Sequence, residues 1–364
     1  SSLGWETEFS DVSMGEYEEL ISLLPNRFQR DLIPLSRALI KNKPTIVHTW
    51  QDETNIIAGL ASLIARVPVI VMFGRSMRPD GKTMLHIRNR PYLKRGYSAI
   101  LGARDVHLCL NSNEGRRSYA EWLGIDESKL WYIPNGIDFE KFISVGNKQE
   151  VSEFFEREGV SNENLIVGGV FRFVKEKRLE LWIKAAMKVI DERENVTFIA
   201  VGDGPERSLA IEQVIDTPYE GKILFPGSTT SVVSWLEKFD LFLLTSSVEG
   251  LPNVLIEAQA VGVPVLSTFA GGSADTFSNL KTGVLLEDES PLAIADRIIL
   301  CLDDFSWRSR AGEKAERDTK EIFSLETLTM NLENLYNEVS NSAATGWSRD
   351  AGLMSKFRAL VGLE

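Results

Sequence analysis

From Thr45 onward, short apolar runs rich in β-branched residues alternate with longer stretches of helical periodicity. That pattern builds parallel sheets covered by helices on both faces. In the first half, residues 45–49, 68–73, 106–110 and 130–133 read as strands, with helices over 54–66 and 114–123. The rhythm returns with strands at 165–171, 196–201, 222–225, 241–245, 263–267 and 283–286, and from Pro291 onward the periodicity is helical alone. Two doubly wound α/β units are expected in succession. Between them lies the turn-rich Ile133-Pro134-Asn135-Gly136-Ile137-Asp138, followed by a polar stretch to about Asn162 that reads as a linker. The expected domains are 1–145 and 146–344, with 345–364 returning to the first.

Composition narrows this picture. At roughly 150 residues per domain, 364 residues suit two domains, and 43% hydrophobic content excludes a disordered chain. The two cysteines, Cys109 and Cys301, sit in apolar stretches, which fits a reducing compartment, the cytosol by default, better than a disulfide framework. The longest candidate membrane segment, 56–73, is broken by Ser62, Arg66 and Pro68, so no membrane span is expected. The opening Ser-Ser-Leu-Gly-Trp-Glu-Thr-Glu lacks the basic and apolar regions of a signal peptide. With no initiator Met, the chain is expected to begin inside a longer polypeptide or to have been trimmed.

A net charge of −12 argues against nucleic acid as a partner. Against that background, residues 75–104 hold Arg75, Arg78, Lys82, Arg88, Arg90, Lys94, Arg95 and Arg104 with only Asp80, a local balance of +7. Together with Pro91, Tyr92, Leu93 and Tyr97, such a patch suits an anionic membrane surface or a phosphate-bearing acceptor.

Open α/β sheets bind ligands beyond the carboxyl ends of their strands, which directs attention to the loops of the second half. After Val167 come Gly168 and Gly169, read as allowing close approach to a phosphate, and then the cations Arg172 and Lys177. Gly202-Asp203-Gly204-Pro205 and Pro226-Gly227-Ser228 follow the next two strands. The most informative loop is Thr245-Ser246-Ser247-Val248-Glu249-Gly250-Leu251-Pro252-Asn253-Val254-Leu255-Ile256-Glu257. Pro252 is suited to open a helix, whose free amides and dipole favour a phosphate. Glu257 then stands about 7–8 Å along that helix at 1.5 Å per residue. Two carboxylates flank an anion site, a geometry suited to holding hydroxyls on either side of a diphosphate.

These residues resemble glycosyltransferase family 4, the group 1 glycosyl transferases, which are retaining enzymes of the GT-B fold. Arg172 and Lys177 match the family's Arg-x4-Lys diphosphate clamp, and Glu249 and Glu257 its Glu-x7-Glu signature. Pro134-Asn135-Gly136-Ile137-Asp138, Gly202-Asp203-Gly204-Pro205 and Ala270-Gly271-Gly272 occur in the family's order, and the similarity covers about 106–302. The resemblance implies two Rossmann-like domains facing across a cleft, and a hexosyl unit passed from a nucleotide diphosphate sugar to a hydroxyl of a glycan or lipid-linked acceptor in surface polysaccharide or glycolipid biosynthesis. It implies no cofactor beyond that co-substrate. Glu249 would contact the sugar, Glu257 the ribose, and Arg172, Lys177 and the amides of Gly250, Leu251, Pro252, Asn253 and Val254 the pyrophosphate region, although Pro252 itself has no N–H. Gly202 and Gly227 would line the donor site.

There are departures. The family's early strand and Gly-rich loop are not found in the 44 residues before Thr45, so the amino-terminal domain reads as incomplete. Arg75 follows the strand after which many members carry a His, Phe171 stands where a Gly precedes the clamp Arg, and Arg178 where a Gly follows the clamp Lys. His48, at an expected strand end, and Arg75 are candidate substrate contacts. The three histidines are scattered and no two Asp stand two apart, so a metal-dependent DxD site is not expected. Gly202-Asp203-Gly204 fails the dinucleotide fingerprint because Arg207 takes the third glycine's place. A non-catalytic sugar-nucleotide-binding scaffold and a GT-B sugar-nucleotide epimerase remain alternatives.

Overall fold

Ten strands form two wholly parallel sheets in the computed structural model, which describes residues 13–14, 17–22, 26–80 and 90–343. The first sheet contains β1 (Ile46–Trp50), β2 (Val69–Gly74), β3 (Val106–Leu110) and β4 (Trp131–Tyr132), side by side in chain order. The second contains β5 (Leu165–Val170), β6 (Val196–Val201), β7 (Ile223–Gly227), β8 (Leu241–Leu244), β9 (Val265–Thr268) and β10 (Gly283–Leu286). Its order is β10-β9-β8-β5-β6-β7, so the chain winds outward from β5, returns, and winds the other way from β8. All ten strands lie within two residues of expectation at each end, and the central ones, covered on both faces, read as mainly apolar runs.

The described residues divide into two compact units, one comprising those up to Ile133 and those from Met330 onward, the other Pro134–Thr329. Sequence alone put the first division at 145 and read the polar stretch to Asn162 as linker. That stretch instead contains the helices Phe139–Ser144 and Lys148–Glu158. Phe139 packs with Leu251, Ile256 and Phe323, while Val151 and Phe154 enter the core of the second unit, which is why the division falls at Pro134. The turn itself is anchored: Ile137 N–H donates to the Phe323 carbonyl at 2.8 Å. The last described helix, Leu325–Ala343, crosses the second division, and the expected return of 345–364 concerns residues outside those described. Among the described residues no helix is long and apolar enough to cross a membrane, and both cysteines are free and buried.

Gly168 and Gly169 lie inside β5 with aromatic rings against them, which corrects their reading as phosphate-approach glycines. A Cβ at Gly168 would stand 2.1 Å from the Phe239 ring, and one at Gly169 would stand 2.5 Å from Phe171. Their small size makes room for aromatic side chains at the centre of the sheet. Gly168→Ala is therefore expected to destabilise the protein by about 1–3 kcal/mol through overpacking. Adding Phe239→Leu should recover part of that loss in thermal denaturation, and independent effects of the two changes would contradict this packing.

Candidate functional site

The reversal of the second sheet lies between β5 and β8, the place where an open α/β sheet parts its crossing connections and leaves a crevice. The loop after β5 brings Arg172 and Lys177, and the loop after β8 brings Glu249. Backbone and hydroxyl contacts stitch the two loops together. Thr245 Oγ1 donates to the Lys177 carbonyl at 3.0 Å, and Ser247 N–H donates to the Glu176 carbonyl at 2.8 Å. A third loop supports them from the β9 side, where Glu249 N–H donates to the Ala270 carbonyl at 2.9 Å and Gly272 N–H to the Glu249 carbonyl at 3.3 Å.

Lys177 Nζ and a Glu249 carboxylate oxygen form an ion pair, with side chains only 16% and 13% exposed. Holding both charges largely away from water strengthens their attraction. Arg172 is exposed between the buried Phe171 and Phe173. The alternation anchors the loop on either side of the guanidinium and directs it away from the core. Phe171 therefore replaces the family's glycine with an apolar anchor, and its N–H still bonds the Val201 carbonyl at 3.1 Å.

Gly202, at φ 143°, has its Cα so close to the Phe171 carbonyl that a Cβ would stand 1.9 Å from that oxygen. No side chain fits there, so Gly202 fixes the path of the Arg172 loop. Its N–H donates at 2.8 Å to the carbonyl of Gly227, which ends β7 at φ 94° rather than sitting in the following loop.

Beyond Glu249 and Gly250 the chain buries Leu251 and Pro252, and the helix runs Asn253–Ala260. Pro252 caps this helix instead of opening it, so the helix begins one residue later than expected from sequence. The first-turn amides of Asn253 and Val254 have no partner within the helix. Asn135 supports this end, donating through Nδ2 to the Leu251 carbonyl at 3.3 Å and to Asn253 Oδ1 at 2.6 Å. Glu257 follows on the same helix, and burial raises its carboxyl above the ordinary range without an opposing hydrogen bond.

The remaining candidates belong to the first unit. His48 stands mid-strand in β1, not at its end, stacked on Trp50 and Phe73 with ring centroids 4.8 and 4.5 Å away. Its Nδ1 lies 2.5 Å from the Tyr336 hydroxyl, its Nε2 is buried without a partner, and burial lowers its pKa to about 4, so the ring is neutral at physiological pH. The Arg75 guanidinium covers the Trp50 ring at 4.9 Å. Asp52 accepts hydrogen bonds from Tyr97 and Tyr119 at 2.8 and 2.5 Å, a buried network that sequence spacing does not reveal. Among the described residues no three His, Cys, Asp or Glu side chains cluster as metal ligands.

Residues 150–318 match the family model for glycosyl transferases group 1, and residues 13–141 that for Glycosyltransferase Family 4. The second match strengthens the amino-terminal resemblance, which sequence motifs alone left weak. The Vi polysaccharide biosynthesis protein VipC/TviE of Salmonella typhi is 32% identical over 326 residues, 86% of this chain and 54% of that protein. This chain thus spans about half of that relative's length. The capsular polysaccharide biosynthesis glycosyltransferase CapM of Staphylococcus aureus is 28% identical over 325 residues, covering 85% of this chain and 80% of CapM. Among solved structures, HepE of Anabaena in complex with UDP superposes with a TM-score of 0.71 at 19% identity, covering 84% of this chain and 82% of HepE. The likeness shows the fold to be GT-B, as the sequence resemblance implied.

The raised pKa of Glu257 has a definite sign. The native state holds this proton more tightly than the unfolded chain, so stability falls as pH rises from the ordinary glutamate value of 4.5 through the raised native value. Glu257→Gln is expected to raise the melting temperature at neutral pH, with the gain vanishing below pH 4.5, while weakening nucleotide binding. A variant less stable than the parent at neutral pH would contradict the absence of a partner inside the protein.

Proposed function

The chain belongs to the group 1 glycosyltransferases of family 4, and we propose that it moves a hexosyl unit from a nucleoside diphosphate sugar to a hydroxyl of a glycan or lipid-linked acceptor. The anomeric configuration is retained, the reaction needs no metal, and the product enters surface polysaccharide or glycolipid biosynthesis. The observation that carries this reading is the Lys177–Glu249 pair in the crevice at the reversal of the second sheet.

In the reaction, the bond between the sugar's C1 and the diphosphate oxygen breaks, and the acceptor oxygen bonds to C1 on the same face. The acceptor proton passes to a phosphate oxygen. Negative charge grows on the departing nucleoside diphosphate, and groups preorganised to meet that charge lower the barrier most. Arg172, Lys177 and the amides of Asn253 and Val254 supply them. Glu249, released from Lys177 as the diphosphate takes the cation, holds the sugar hydroxyls, and Glu257 holds those of the ribose. His48 and Arg75 belong to the acceptor-side unit in this proposal, with His48 acting as a neutral ring.

Membrane contact at the inner face of the cell membrane is a further part of the proposal. It rests on fewer free charges than the +7 window suggested. Arg78 pairs with Asp80 and Glu121, Arg90 with Glu53, and Arg104 with Asp105. Lys94 and Arg95 are exposed on the helix Pro91–Leu101, while Lys82 and Arg88 lie outside the described residues.

Lys177→Ala and Glu249→Ala should each lower sugar transfer by about a hundredfold or more, with the melting temperature little changed. Transfer should persist in EDTA, and nuclear magnetic resonance of the product should show the donor's anomeric configuration. Undiminished transfer in both variants would overturn the proposal.

A further inference from the structure

Arg178 stands where the family places a glycine, and its backbone has the left-handed conformation that glycine favours, φ 49° and ψ 50°. An arginine in that conformation calls for a compensating contact, and its side chain makes three. Nε donates to the Thr245 carbonyl at 2.5 Å, Nη2 donates to the Ser246 carbonyl at 3.1 Å, and Nη1 pairs with Glu289. In the other direction, Thr245 Oγ1 donates to the carbonyls of Lys177 and Arg178 at 3.0 and 3.3 Å.

One guanidinium therefore ties together the loops after β5, β8 and β10. The residue before it is Lys177, and the carbonyls it holds begin the segment that ends in Glu249. Its Nε, Nη1 and Nη2 are each taken up by a protein acceptor, which places it as a brace on those two neighbours. Lysine cannot reproduce the tie, because a single ammonium lacks the planar fork that reaches two carbonyls and a carboxylate at once.

We propose that Arg178 is a positioning residue for nucleoside diphosphate binding, whose guanidinium holds the Lys177 turn and the Glu249 loop in register by bridging Thr245, Ser246 and Glu289. The proposal rests on the reading of the crevice as a diphosphate site. It also accounts for an arginine with a left-handed backbone at this position: the side chain braces the site.

The test titrates the parent protein, Arg178→Gly and Arg178→Lys with UDP, GDP, ADP, CDP and dTDP by calorimetry, alongside thermal denaturation and amide exchange over residues 245–250. Glycine suits the backbone, so Arg178→Gly should melt within a few degrees of the parent. It should bind the preferred nucleotide at least about tenfold more weakly, as expected when a supporting group shifts ligand-binding atoms. Exchange over 245–250 should quicken, Arg178→Lys should fall between, and added methylguanidinium should restore binding to the glycine variant. Binding within twofold of the parent by Arg178→Gly, or by Arg178→Lys should the glycine variant fail to fold, overturns the proposal. A parent that binds none of the five nucleotides overturns the reading of the crevice itself, which separates the two failures.

Discussion

The ion pair between Lys177 and Glu249 is the contact on which the rest of the site depends. Two opposite charges with little exposure to water are stable only beside one another or beside a ligand that supplies the missing charge. In the proposed function, the pair is the resting state of a site for an anion attached to a hydroxyl-bearing ring. The anion competes for the lysine and the ring's hydroxyls for the carboxylate. Sheet topology puts them there. Because the chain reverses between β5 and β8, the loops after those strands have no crossing helix between them and meet across the crevice.

Holding two loops at that accuracy requires more than their own strands. Thr245 and Ser247 bond back to the Lys177 turn, Ala270 and Gly272 grip the backbone of Glu249, and Asn135 steadies the start of the helix Asn253–Ala260. Gly202 lets the Arg172 loop lie against the chain after β6. Backbone groups share this support with the Thr245 hydroxyl, the Asn135 amide and the Arg178 guanidinium.

Sequence made the strands legible because parallel strands covered on both faces are mainly apolar, and the charged residues stand in the loops that follow them. The spacing from Glu249 to Glu257, with Pro252 between, likewise reports a loop running into a helix. Other features depend on tertiary neighbours and leave weak local signals. Gly168 and Gly169 resemble phosphate-binding glycines until Phe239 and Phe171 are seen to occupy the space beside them. The helix Lys148–Glu158 buries Val151 and Phe154, two apolar positions within a mostly charged run that reads as a linker. Arg178 gives no sign in sequence of a left-handed backbone; only the departure from a glycine pattern points to it.

The most direct test is a crystal structure of the protein with its preferred nucleoside diphosphate. The account predicts phosphate oxygens within hydrogen-bonding distance of Lys177 Nζ, Arg172 and the amides of Asn253 and Val254, with the ribose hydroxyls on Glu257 and the contact between Lys177 and Glu249 parted. A diphosphate bound elsewhere while that contact stays closed would contradict it.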